Sequence, residues 1–238
     1  MSTNSINRLP FKGREFLTRL KHNNSKDWFD ANRELYELEI LNPARDFVIS
    51  MGVKLHQLSP AIVADPRVNR SLFRINRDIR FSKDKSPYKT HIGIFFWEGK
   101  APKLENSGYY FHIEPEELFL GVGLHIFPKW VLEKYRNAVS DPQLNITLAD
   151  AISIVQQNGG EIGGDKYKRY PAGYNSDVTE PELLLYKGIY GLTRVRDFDL
   201  LSNVDLVDFC FEKFKELSPI HNWLVKLVQK RKTKATND

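Results

Sequence analysis

Apolar positions along the chain change their spacing twice. From residue 14 to 60 they recur at helical intervals. Phe16, Leu17 and Leu20 form one short stripe, Trp28, Phe29, Leu35, Tyr36 and Ile40 a second, and Phe47, Val48, Met51, Leu55 and Leu58 a third. Ser25 or Asp27 is placed to cap the second helix, Pro43 suits the first turn of the third or a kink, and Ser59-Pro60 stops it. Between 72 and 127 the period shortens. Ile75, Ile79 and Phe81 alternate with polar neighbours, 91–97 (HIGIFFW) is a continuous apolar run, and 109–113 and 118–126 are two more, split by Glu114-Pro115-Glu116-Glu117. Connections this short predict antiparallel neighbours.

Helical spacing then returns. Pro128 opens a helix carrying Val131, Leu132, Tyr135, Ala138 and Val139 that ends near Asp141-Pro142. A further helix starts near Thr147 and closes at Gly159-Gly160. The stretch 163–174 reads as an ordered loop. Thr179 and Glu182 make a capping-box pattern for a short helix through Lys187, and 189–198 reads as a fifth strand. Ser202 caps a helix through Leu217, and Ser218-Pro219 sets off a last one with Trp223, Leu224 and Leu227. Strands gathered in the middle and helices at both ends predict an α+β fold, a central, mostly antiparallel sheet of about five strands covered by N- and C-terminal helices. No repeat or long linker appears, so 1–238 reads as a single domain: a helical layer at 14–60, the sheet at 72–127, helices with one further strand at 128–230, and a basic tail at 231–238.

The composition, 41% hydrophobic and 27% charged over 238 residues, sets aside disorder, collagen and coiled-coil arrays. A single cysteine, Cys210, excludes an internal disulfide and any CxxC zinc site, and so points to a reducing compartment. No run reaches the ~18 apolar residues of a membrane span, and the first residues carry no apolar leader. A cytoplasmic protein without a membrane partner is expected.

Charge sharpens the picture because the net +5 is uneven. Residues 67–91 hold eight basic side chains against two acidic ones, 226–238 five against one, and the rest of the chain is net acidic. The tail reads as a solvated end. The internal segment reads as a local anion site. On a strand, Arg74, Asn76, Asp78 and Arg80 would share one face, the carboxylate about 7 Å from each guanidinium. Asp78 should then stay ionised, leaving the Arg forks to bind phosphate or carboxylate. Arg74, Arg77, Arg80, Lys85 and Lys89 are the candidate ligand-binding residues. If the site is catalytic, Asp78 is the candidate general base or metal carboxylate, and Tyr88 or His91 the proton donor. The partner would be a phosphate-bearing ligand, a nucleotide-like metabolite or nucleic acid. The alternative is a non-catalytic protein-interaction or assembly module, in which these charges form a structural network and Arg77, on the apolar face, meets a buried carboxylate.

Arg74, Arg77, Asp78, Arg80, Phe81, Lys85 and Tyr88 together match the signature RxxRDxRFxxxKxxY at every fixed position. In this the chain resembles the widespread, chiefly bacterial family called domain of unknown function 2461. The resemblance runs from Asn23-Asn24 and Trp28-Phe29 to Pro219 and Trp223-Leu224. It implies that the basic segment defines the family, and it carries over no reaction.

Other residues offer weaker chemistry. His112 and Glu114 share a strand face, His125 ends the neighbouring run, and with His91 they form a candidate metal set, although hydrogen-bonded histidines fit the pattern better. Cys210 sits among phenylalanines as a core thiol. Gly159-Gly160 and Gly163-Gly164 read as helix-stop and turn glycines, since neither GxxxxGK[ST] nor GxGxxG is present. Phe95, Phe96 and Trp97 beside a basic strand could stack bases, but consecutive aromatics in a strand more often divide between core and edge. Nothing in the sequence names a cofactor.

Overall fold

The computed structural model describes residues 6–7, 9–99 and 102–229. The basic tail at 231–238 lies outside them. Helices stand at both ends and a six-stranded antiparallel sheet between them, which is the expected α+β arrangement with one strand more. The strands are β1 (Ile62–Val63), β2 (Ile92–Glu98), β3 (Gly108–Ile113), β4 (Leu118–Leu124), β5 (Glu161–Gly163) and β6 (Ile189–Val195), in the order β1-β2-β3-β4-β6-β5. Two strands are unexpected, β1 of two residues and β5 of three, both too short to leave a periodic signal, and the strand expected at 75–81 does not form; β5 pairs Ile162 with Gly191 of β6. At Gly123, φ is +144°, and a Cβ there would fall 2.4 Å from the Ile189 carbonyl, so only glycine lets β4 and β6 approach.

The helices are α1 (Arg14–His22), α2 (Lys26–Ala31), α3 (Arg33–Tyr36), α4 (Asn42–Leu55), α5 (Lys129–Val139), α6 (Pro142–Gln157) and α7 (Leu206–Gln229). Ser25 caps α2 by accepting the Trp28 N–H, and Pro43 lies in the first turn of α4. Gly159, φ +80°, stops α6. Three expected boundaries move. Helix α6 begins at Pro142 rather than near Thr147, because Asp141 accepts the Leu144 N–H. The Thr179/Glu182 pattern is overridden by Pro181, and a 3₁₀ turn, Pro181–Leu185, takes its place. Finally, α7 is continuous through Pro219: Ser218 Oγ donates to the Phe214 carbonyl, and Asp205, not Ser202, caps the start by accepting the Val207 and Asp208 N–H groups.

The chain divides into two compact units. The first holds the described residues through Phe96, with Tyr110–Leu120 and Arg194–Glu212; the second holds Trp97–Tyr109, Gly121–Thr193 and the described residues from Lys213. In the first, Phe47 of α4 packs on Phe111 of β3 (4.7 Å between ring centroids) and on Phe96 of β2 (6.4 Å). In the second, Tyr109 packs on Phe214 at 5.4 Å, and Tyr135 packs on Phe127 at 4.5 Å. Burial alternates along β3: Phe111 and Ile113 are enclosed, whereas Tyr110 and His112 face outward and are half-buried.

Residues 72–91 do not form the expected strand. They are an irregular hairpin in the first unit. The Phe73 N–H donates to the Gly93 carbonyl, Lys89 N–H to Ile75 and Arg77 N–H to Pro87. Beyond Arg77 the pairing stops because side chains capture the backbone donors: Asp78 accepts the Arg80 N–H and Asp84 the Ser86 N–H, while Pro87 has none to give. The alternation predicted at Phe81 fails with it, and that ring is 95% exposed.

Candidate functional site

The hairpin sorts the predicted residues into two groups. Its tip is braced from within. Arg80 Nε and Nη2 donate to the two oxygens of Asp78 (2.9 and 2.7 Å), which holds that carboxyl below its usual pKa. Arg77 pairs with Asp84, whose carboxylate also accepts the Ser86 N–H and hydroxyl; these bonds push its pKa down. Asp84 is exposed, so Arg77 does not meet the buried carboxylate expected of it. Lys85 donates to the Ile79 carbonyl at 3.0 Å. Tyr88 is buried, its ring stacked on Phe29 at 4.1 Å and its N–H given to Asn24 Oδ1. Asp78 is therefore committed to Arg80, and Tyr88 is turned to the N-terminal helices.

The base of the hairpin differs. Arg74 and Lys89 are close enough to repel, and neither sits in an ion pair among the described residues. Burial first, and the charge of Arg74 second, lower the Lys89 pKa. Lys89 Nζ lies 5.7 Å from the centre of the Phe73 ring, and Phe73 meets Tyr110 edge-on at 6.2 Å. Gly93 makes room for this contact: a Cβ there would come within 2.8 Å of Tyr110 Oη and 3.2 Å of Phe73.

Tyr110 begins a polar line along the outward face of β3. Its hydroxyl lies 3.0 Å from His112 Nδ1, and His112 Nε2 lies 3.4 Å from Glu114 Oε2. Burial pushes the Tyr110 pKa up to about 12, so the phenol keeps its proton and donates to Nδ1. The remaining ring proton, on Nε2, then serves Glu114. His91 stacks on His112 with 4.4 Å between ring centres. Burial, then His112, then Lys89 bring the His91 pKa down to about 4, and burial lowers that of His112 as well. Both imidazoles are neutral at pH 7. His91 thus offers a lone pair there rather than the proton assigned to it from sequence. Further along, Glu117 joins Arg194 (2.5 Å) and Arg196 (3.3 Å), and Arg194 lies over Phe119.

Of the eight predicted residues, the fold thus groups Arg74, Lys89 and His91, and sends Arg77, Asp78, Arg80, Lys85 and Tyr88 to the architecture of the loop. His112 and Glu114 meet His91 as anticipated, but no three His, Cys, Asp or Glu among the described residues are arranged to hold a metal ion. His125 packs on Tyr190 in the second unit. Phe95, Phe96 and Trp97 are all buried and present no stacking surface. Cys210 is wholly enclosed, and burial raises its thiol pKa.

Sequence reasoning missed two features. Tyr110 heads an i, i+2, i+4 polar series with His112 and Glu114, a signal that was available once β3 was placed. The other, in the second unit, is a buried chain in which Ser107 Oγ lies 2.9 Å from His221 Nδ1 and Glu98 Oε2 lies 2.9 Å from Nε2. Its members are too far apart in sequence for any local pattern to join them. That unit also holds an open cleft of about 340 Å³ lined in part by Ile152, Ser153, Lys166, Glu182 and Tyr186, where Lys166 and Glu182 are already paired at 3.0 Å.

Fold and site together define an α+β protein with a cationic hairpin base beside neutral, paired histidines. Residues 12–223 match the family described as conserved hypothetical protein (DUF2461), and the chain belongs to that family. Neither a curated protein nor a solved structure gives a significant match.

Proposed function

We propose that the first unit binds a phosphate-bearing anion at the base of the hairpin. The observation that supports this reading is the pair Arg74 and Lys89: two like charges held together, one half-buried, with neither in an ion pair among the described residues. An anion would relieve their repulsion and recover the cost of Lys89's desolvation. Arg74 supplies a planar fork for two phosphate oxygens and Lys89 a point charge. His91, next to Lys89, accepts a proton more readily once the anion is bound, and the Tyr110–His112–Glu114 line fixes the neighbouring ring on which it stacks. Should the ligand undergo a reaction, His91 is the group to accept its proton, with Lys89 holding the phosphate charge.

Isothermal titration with pyrophosphate tests the reading. The wild-type chain should bind and its unfolding temperature should rise with ligand concentration. Arg74→Glu with Lys89→Glu should abolish both effects while circular dichroism stays that of wild type. Unchanged pyrophosphate binding by the double variant would sink the proposal.

The alternative, a structural role for the charged motif, is favoured by the internal bonds of the tip, Arg80–Asp78 and Arg77–Asp84. It applies to those residues and leaves Arg74 and Lys89 without a task.

A further inference from the structure

Phe81 is the outlier of the surface. It is 95% exposed, where the next most exposed large apolar side chain, Val53, is 66% exposed. A bare ring on a floppy loop would mean little, but this loop is braced: Asp78 grips Arg80 on one side of Phe81, and Arg77 and Ser86 grip Asp84 on the other. Lys85 ties back to Ile79, and Ser82 N–H donates to the same carbonyl at 3.4 Å. The loop thus spends its polar side chains on holding one conformation that leaves an aromatic face in water.

The surroundings of the ring select its partner. Among the described residues between Val68 (38% exposed) and Leu104 (63%), Phe81 is the only exposed large apolar side chain. Its neighbours are cations. Arg80 lies 5.8 Å from the ring centre, and Lys83 and Lys85 are exposed without a carboxylate among the described residues. The series continues toward the base, since Asp78, bound to Arg80, also feels the charge of Arg74. A π-face set in a basic strip is the pattern of single-strand recognition, in which bases stack on aromatics and cations follow the phosphates.

We infer that the ligand is a single-stranded nucleic acid, a base stacked on Phe81 and its backbone running past Lys83 and Lys85 to Arg74 and Lys89. This rests on the phosphate site proposed above and names its substrate class. From Arg74 to Phe81 the chain can span at most about 25 Å, which bounds the separation of the two contacts.

Fluorescence anisotropy of labelled oligothymidylate and oligouridylate strands of about twelve nucleotides, with the full chain at low salt, tests it. Binding of either strand by the wild-type chain is expected. Phe81→Ala should weaken it about tenfold, a loss of about 1.4 kcal/mol, while pyrophosphate binding stays as in wild type. Phe81→Trp should keep affinity, and its added indole emission should be quenched by the strand. Lys83→Ala should flatten the slope of log K against log salt by about 0.7, the share of one contact. Strand affinity unaltered in Phe81→Ala overturns the inference. So does pyrophosphate binding with no strand binding, which leaves a small-molecule phosphate site. Failure of both probes removes the phosphate site as well. Capture by phosphatidylserine vesicles that needs Phe81, with no strand bound, overturns it in favour of a membrane surface.

Discussion

Two histidine clusters, one in each unit, use the same side chain to opposite ends. His221 is 1% exposed, and each ring nitrogen meets one oxygen, from Ser107 and Glu98, at 2.9 Å. Every polar atom of that ring is satisfied, and Tyr109 packs against it at 4.8 Å. His91 is half-buried, with another imidazole stacked on it, Lys89 and Glu114 both close enough to shift its charge, and no oxygen bonded to its ring among the described residues. The first arrangement stabilises one conformation. The second leaves a basic nitrogen and a nearby cation with unspent bonding capacity, which is the condition for a ligand. Burial alone does not separate them. What does is whether both ring nitrogens are already bonded.

The largest test of this contrast is His221→Ala. It opens a cavity beside Tyr109 and takes the imidazole away from Ser107 and Glu98, so unfolding in urea should show a loss of about 2–4 kcal/mol. A loss below about 0.5 kcal/mol would reduce the cluster to decoration.

Acid should act on the other cluster. The His91 pKa is about 4 in the folded chain and about 6.5 when unfolded, and that of His112 moves the same way. Below pH 6.5 the unfolded state takes up these protons first, so stability is fullest above that value and declines as pH falls toward 4. The unfolding temperature should drop by roughly a few degrees between pH 7 and 5. Replacing both His91 and His112 with Asn should flatten this slope; an unaltered slope would show that other groups carry it.

The smallest effect should come from Arg74→Ala. Its guanidinium is repelled by Lys89, attracted by Asp78 and hydrogen-bonded to nothing among the described residues, so the change should shift stability by no more than about 0.5 kcal/mol. A clear loss of stability would mean that Arg74 belongs with the structural charges instead.

The sequence made the architecture legible wherever a period ran long enough. Helices α1 to α6, the apolar strands β2 to β4 and the strand β6 all announce themselves. It misled where side chains compete with the backbone. Arg74 to Phe81 has the alternation of a strand, yet Asp78 and Asp84 take the N–H groups that a ladder would need. Charge arithmetic located the basic segment correctly but could not divide it. Asp78 faces Arg80 and Arg77 faces Asp84 because the chain turns at the tip, and that turn decides which cations remain available. The His91–His112 stack depends on neighbouring strands, which no local spacing encodes; the Glu98–Ser107–His221 chain lies further still from any local signal.

The strand order also has a consequence for synthesis. Strands β1 to β4 follow one another in space as in sequence, but β4 gains its second neighbour only when β6 is made, roughly 65 residues later. At about 5–20 residues per second, the ribosome holds the apolar β4 with a bare edge for roughly 3–13 s. Every nascent copy therefore passes through a window in which polysome neighbours can pair edge to edge, and slowing translation between β4 and β6 lengthens it.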